Sequence, residues 1–159
     1  MGKHIRGRRL LRRGVLGFVL ALFASGLSGC GGGERFSYVK VAGKVSYEDG
    51  SLIPADRLRV RFIPLAPPLD SKTPPPSGYA EVDPKTGTFT VVTSHTHGDG
   101  LVPGKHKVLI QAINGDRLRA DLVPAEYTRP EKTPLSVNTD HSPFDLKVRK
   151  PVPGKAKGK

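Results

Sequence analysis

From Tyr38 onward the chain alternates polar and apolar residues with a period of two. Tyr38, Lys40, Ala42, Lys44 and Ser46 interleave with Val39, Val41, Gly43, Val45 and Tyr47. Such alternation turns one face of a strand toward a core and the other toward solvent. Glu48-Asp49-Gly50-Ser51 ends this first segment with turn residues. Leu58, Val60 and Phe62 then alternate with Arg57, Arg59 and Arg61, predicting a second strand with one cationic face that ends at Ile63-Pro64. Residues 64–77 contain six prolines, which cannot donate to a ladder, so an extended loop is expected there. Tyr79–Val82 and Thr88–Val92, joined by Asp83-Pro84-Lys85-Thr86-Gly87, predict a hairpin. Lys105–Ile113 predicts a longer strand behind the Pro103-Gly104 turn. Leu135–Val137 and Phe144–Val148 predict two short ones.

Helical periodicity is not evident in this body, and seven short strands separated by turns predict an all-β sandwich. Roughly 115 residues are ample for one such core. The expected organisation is a leader over 1–29, a tether over 30–37, a sandwich over 38–149 and a basic, disordered tail over 150–159.

The amino terminus follows a different pattern. Lys3, Arg6, Arg8, Arg9, Arg12 and Arg13 form a basic start with no acid, followed by an uncharged, mainly apolar run from Val15 to Gly29. That run is shorter than the roughly 20 residues a membrane-spanning helix needs, and it fits the helical h-region of a signal peptide. It ends in Leu27-Ser28-Gly29-Cys30. These four residues resemble the lipobox of bacterial lipoprotein signal peptides. The resemblance implies a diacylglycerol on the Cys30 thiol and cleavage between Gly29 and Cys30. An uncleaved anchor and an ordinary secreted protein cut elsewhere are the alternatives. Arg8-Arg9 hints at a twin-arginine route, but the rest of that motif is not evident. Gly31-Gly32-Gly33 then reads as a flexible tether. Gly31 stands where an Asp would mark inner-membrane retention, so the usual pattern points to the outer membrane.

Composition adjusts this picture. The formal charge of +12 would suggest nucleic acid if it sat on one folded face. Half of it belongs to the leader and three lysines to the last nine residues, so no nucleic-acid partner is expected. A single cysteine excludes an internal disulfide and leaves Cys30 in need of another reason.

The order of features in the body resembles the carboxypeptidase regulatory-like domain, a seven-stranded, transthyretin-like (prealbumin-like) sandwich. The matching residues are Val41-Ala42-Gly43-Lys44-Val45 with Asp49-Gly50, then Ala80-Glu81-Val82-Asp83 through Gly87 to Phe89-Thr90-Val91. Leu101-Val102-Pro103-Gly104-Lys105-His106-Lys107-Val108 follows. The further run Val123-Pro124-Ala125-Glu126-Tyr127, with Thr133-Pro134-Leu135, is similar to small bacterial lipoproteins carrying this domain. The resemblance covers about residues 38–149 and implies a non-catalytic module with binding, spacing or structural duty in the cell envelope. Independently of it, Gly43 within a strand predicts a close backbone approach.

Few residues offer chemistry. In Ser94-His95-Thr96-His97-Gly98-Asp99, two imidazoles and a carboxylate at alternate positions would share one side of a strand. His95, His97 and Asp99, with His106 as a fourth group, form the metal-site alternative, and a solvated loop is the ordinary reading. Nothing resembles a nucleophile elbow or a phosphate loop, so neither an enzyme nor a cofactor other than the covalent lipid is expected. The Arg57-Arg59-Arg61 face, with the Lys-rich tail, is a candidate contact for anionic lipid, cell-wall polymer or polysaccharide, and the solvent side of the sandwich is the ordinary reading of that face. An envelope protein to which the module docks is the other expected kind of partner.

Overall fold

The computed structural model describes residues 35–151. The expected leader, with Gly29, Cys30 and the glycine run, and residues 152–159 lie outside the described residues. The described chain holds eight strands and no α-helix: β1 (Gly43–Tyr47), β2 (Arg57–Pro64), β3 (Gly78–Val82), β4 (Thr88–Phe89), β5 (Lys105–Asn114), β6 (Arg117–Leu118), β7 (Ser136–Asn138) and β8 (Phe144–Val148). Two short 3-10 turns, Ala125–Thr128 and Thr139–His141, complete it.

The strands form two sheets. One has three strands in the order β4-β1-β8, with β1 and β8 parallel. The other has five, in the order β3-β2-β5-β6, with β7 also paired to β5, and all its pairings are antiparallel. Their inner faces share one hydrophobic core, as in a sandwich. Phe62 of β2 sits at its centre, fully buried. Its ring lies 5.9 Å from Phe89 of β4 and 5.9 Å from Phe144 of β8, so one side chain of the larger sheet meets both edges of the smaller. Val45, Leu58, Val60, Val108, Ile110, Leu146 and Val148 fill the layers around it, each at most 2 % exposed. All core residues lie between Val41 and Val148, so a chain starting at Gly31 contains the whole core.

The alternation in β2 predicts its faces correctly, with Leu58, Val60 and Phe62 buried and Arg57, Arg59 and Arg61 turned outward. Gly43 is the anticipated close approach. A Cβ there would stand 2.6 Å from the Phe89 ring and 2.8 Å from the Phe144 carbonyl, closer than carbon tolerates. The first strand is shorter than expected: before Gly43, Val39 makes only an isolated bridge to Leu101, and the Ala42 amide is taken by the Ser142 hydroxyl at 3.0 Å.

The expected hairpin over 79–92 forms its turn but not its ladder. Asp83 closes the turn by accepting from the Lys85 amide at 2.9 Å and the Thr86 hydroxyl at 3.0 Å. Gly87 takes the positive φ of 73° on which the turn depends. From Thr88 onward, however, β4 pairs with β1 rather than with β3, and only at Thr93 does the chain return to bridge Tyr79. The driving force is burial: Phe89 reaches the core only by crossing to the other sheet. At the carboxyl end the folded body extends one residue into the expected tail. Lys150 pairs with Asp49, and its ammonium stands 5.4 Å from the centre of the Tyr47 ring.

Candidate functional site

The His95 loop is not a strand. Residues 94–98 form a turn, and the Asp99 carboxylate is directed into it rather than alongside the imidazoles. One oxygen accepts from the Ser94 amide at 2.8 Å, the other from the amides of His95 at 2.8 Å and Thr96 at 2.9 Å. Burial acts to raise the Asp99 pKa, but the amides of Ser94, Thr96, His95 and Gly100 outweigh it and hold the carboxyl below its ordinary value. The Ser94 hydroxyl donates to the Gly100 carbonyl at 2.6 Å, and the Gly98 amide donates to Thr93 Oγ1 at 3.1 Å. Gly100, at φ 105°, lies so close to the Val39 carbonyl that no side chain fits.

Asp99 is thus the organiser of a turn, with its acceptor capacity spent on backbone amides. His95 and His97 are exposed. Among the described residues no three His, Cys, Asp or Glu side chains gather in a metal-holding group.

His106 does not fold back toward that loop. It lies on the inner face of β5, 1 % exposed, with its ring edge-on to Phe62 at 6.5 Å between centres. Its Nδ1 is 3.1 Å from the Gly104 carbonyl. A carbonyl only accepts, so Nδ1 carries the proton and Nε2 is left as a bare lone pair, buried with no hydrogen-bond partner. Burial lowers the His106 pKa, opposed by the Gly104 bond. Here histidine serves as a core side chain, and its burial favours the neutral form.

The outward face of the five-stranded sheet is the most distinctive polar surface among the described residues. The register aligns Glu81, Arg59 and Gln111 in one row across the strands, and Tyr79, Arg61 and Leu109 in the next. Arg59 donates through Nε to Glu81 at 2.7 Å. Arg61 has no carboxylate partner among the described residues, and its guanidinium lies over the Tyr79 ring, 5.3 Å from its centre. That geometry is a cation–π contact. The Arg61 Nε is sealed from solvent without an acceptor. Leu109 faces outward in the same row yet is only 4 % exposed, while Tyr79 remains 43 % exposed. Lys107 donates to the Pro130 carbonyl at 2.7 Å, and Arg57 to that of Gly115 at 3.0 Å.

The three-residue arginine repeat was legible in sequence; Tyr79, Leu109 and Gln111 were not associated with it. Their own alternation orients them outward, but only the pairing of β3 and β5 with β2 sets them beside the arginines. A shallow depression on the opposite sheet, between Lys44, Thr88, Thr90 and Asp145, carries only the Lys147–Asp145 ion pair at 3.2 Å. Comparison of the chain with family models, curated proteins and solved structures finds no match to any of them.

Proposed function

We propose that this chain is a lipid-anchored, non-catalytic protein of the bacterial cell envelope, whose β-sandwich serves as a structural or binding module. The observation that carries the reading is the order of its first thirty residues. A basic start, a short apolar run and Leu27-Ser28-Gly29-Cys30 follow one another at the spacing of a lipoprotein leader. The thiol of Cys30 is the acyl acceptor, and two acyl chains give stable rather than fleeting attachment. A folded body whose core begins at Val41 stands a few residues behind that cysteine, as an anchored module would.

The finer fold we assign is the seven-stranded, transthyretin-like sandwich of the carboxypeptidase regulatory-like domain, with the two-residue β6 an addition at the end of β5. A non-catalytic role is supported by how the polar groups are employed. The carboxylates of Asp70, Asp83 and Asp99 each close a turn, and Asp121 is engaged by Arg119. His106 is enclosed in the core.

Intact mass of the protein extracted with detergent from its bacterial host tests the anchor. The expected mass is that of a chain starting at Cys30 plus acyl groups. Cys30→Ser is expected to abolish acylation and leave the precursor unprocessed, with the domain still folded. A bare thiol on the native mature chain refutes the reading.

A further inference from the structure

The described residues carry seventeen Lys and Arg against thirteen Asp and Glu. Of these, the outward positions of β2, β3, β5 and β7 hold five cations, Arg57, Arg59, Arg61, Lys105 and Lys107, and one anion, Glu81. The remaining twelve cations and twelve anions cancel. The outward positions of this one sheet therefore carry a net charge of +4, equal to that of the described residues as a whole. Glu81 neutralises Arg59 alone, and Arg61 stays without a carboxylate among the described residues. A flat surface of this kind attracts anions through summed charge rather than through a shaped pocket.

The chain enters the fold four residues ahead of β1, in the opposite sheet, and within a tether's reach of the basic face as well. The Tyr79 amide donates to Thr93, the Gly100 amide donates to the neighbouring Val92, and the Leu101 amide donates to Val39. These steps lead from the β3 edge of the basic sheet to the segment by which the chain enters the fold. At the usual strand spacing they cover about 15 Å. Eight residues separate Val39 from Cys30, and at full extension they reach about 30 Å.

We infer that the outward face of the five-stranded sheet, centred on Arg61 and Tyr79, is the membrane-facing side of the module and rests on anionic phospholipid headgroups. The orientation rests on the lipid-anchor reading; the charge of the face does not. Arg57, Arg61, Lys105 and Lys107 supply the attraction. Tyr79 offers the amphipathic ring that suits the headgroup level, polar at its tip and apolar at its body. The opposite sheet, with Lys147 engaged by Asp145, is left facing away from the bilayer.

The test uses the chain beginning at Gly31, which bears no lipid, so its outcome is independent of the fate of Cys30. It is sedimented with phosphatidylcholine vesicles containing phosphatidylglycerol and, separately, with vesicles of phosphatidylcholine alone. Binding is expected only to the anionic vesicles and is expected to fall steeply with added salt. Arg57→Gln and Lys105→Gln, both at exposed positions, are each expected to weaken it about fivefold. Lys44→Gln on the other sheet should leave it unchanged. Circular dichroism of each variant confirms that it is folded. Failure to bind anionic vesicles at low salt overturns the proposal, as does equal weakening by Lys44→Gln. Retention by an acidic polysaccharide without vesicle binding also overturns it and reassigns the face to a polymer. A bare Cys30 thiol, by contrast, would remove the anchor and leave a positive vesicle result standing.

Discussion

The two sheets solve the same problem differently. The five-stranded sheet is built on two long strands, β2 and β5, paired over eight residues, and its outward rows are largely charged, with Leu109 among them only 4 % exposed. The three-stranded sheet is built from short strands. Its outward face is partly covered, with Ser46 at 0 % exposure and its hydroxyl accepting from Lys147 at 3.1 Å. The turn at Gly87 packs against the backbone of this sheet, where a Cβ would come 2.6 Å from the Val45 carbonyl. The larger sheet thus tolerates side chains of many kinds on its outer surface. Small residues are required where a neighbour approaches the backbone closely, at Gly43 of the smaller sheet and equally at Gly78 of the larger, where a Cβ would come 2.2 Å from the Leu101 side chain.

That contrast can be tested in order of expected effect. Phe62→Ala removes the ring that joins the two sheets, and a loss of about 3–5 kcal/mol in urea unfolding is expected. A loss below 1 kcal/mol would mean the sheets are held together elsewhere. Gly43→Ala introduces a methyl between the Phe89 ring and the Phe144 carbonyl, and a loss of about 1–3 kcal/mol is expected from the forced shift. Ser136→Ala, at an exposed outward position of the larger sheet, removes only the hydroxyl that donates to the His106 carbonyl at 3.2 Å, and a loss of about 0.5–1 kcal/mol is expected. If the two substitutions cost the same, the distinction between a closely approached backbone position and a permissive outer one fails.

Histidine 106 sharpens the comparison through pH. Its native pKa lies below the ordinary value of 6.5, so between the two the unfolded chain binds a proton that the folded chain refuses. Stability is then fully present above the unfolded pKa, and it falls as the pH drops through 6.5 toward the native value. Chemical denaturation across this range should show that slope in the wild type. It should be reduced in His106→Leu, which cannot take up the proton. An unchanged slope would assign the effect to other groups. The charged face should also respond weakly: Arg59→Ala is expected to lower stability by no more than about 1 kcal/mol, because its ion pair with Glu81 is largely exposed. A larger loss would mean that the outward rows contribute structurally.

The legibility of these regions in sequence follows their physics. β2 and β8 were readable because burial on one face imposes a strict period of two, and their residues obey it. β4 was readable as a strand but not as a member of the opposite sheet. Its sequence specifies an inward Phe89, and the identity of the neighbour that hydrogen-bonds to it depends on where Phe62 and Phe144 already sit. β6, two exposed residues, carries no burial signal at all. The His95–Asp99 spacing matched a ligand pattern on a strand. Backbone amides of the same loop competed for the carboxylate, and a turn formed instead.

Local patterning alone determined that the body is all-β, where its turns fall, which way the arginines of β2 point and that Gly43 must admit a neighbour. These are properties of a residue and its near sequence neighbours. Tertiary structure alone decided that β4 crosses between sheets and that His106 is sealed against Phe62. It also decided that Tyr79 and Leu109 flank Arg61, and that the outward positions of one sheet carry a net positive charge. Each of these depends on which distant segments pair, and pairing is chosen by the burial of the core as a whole.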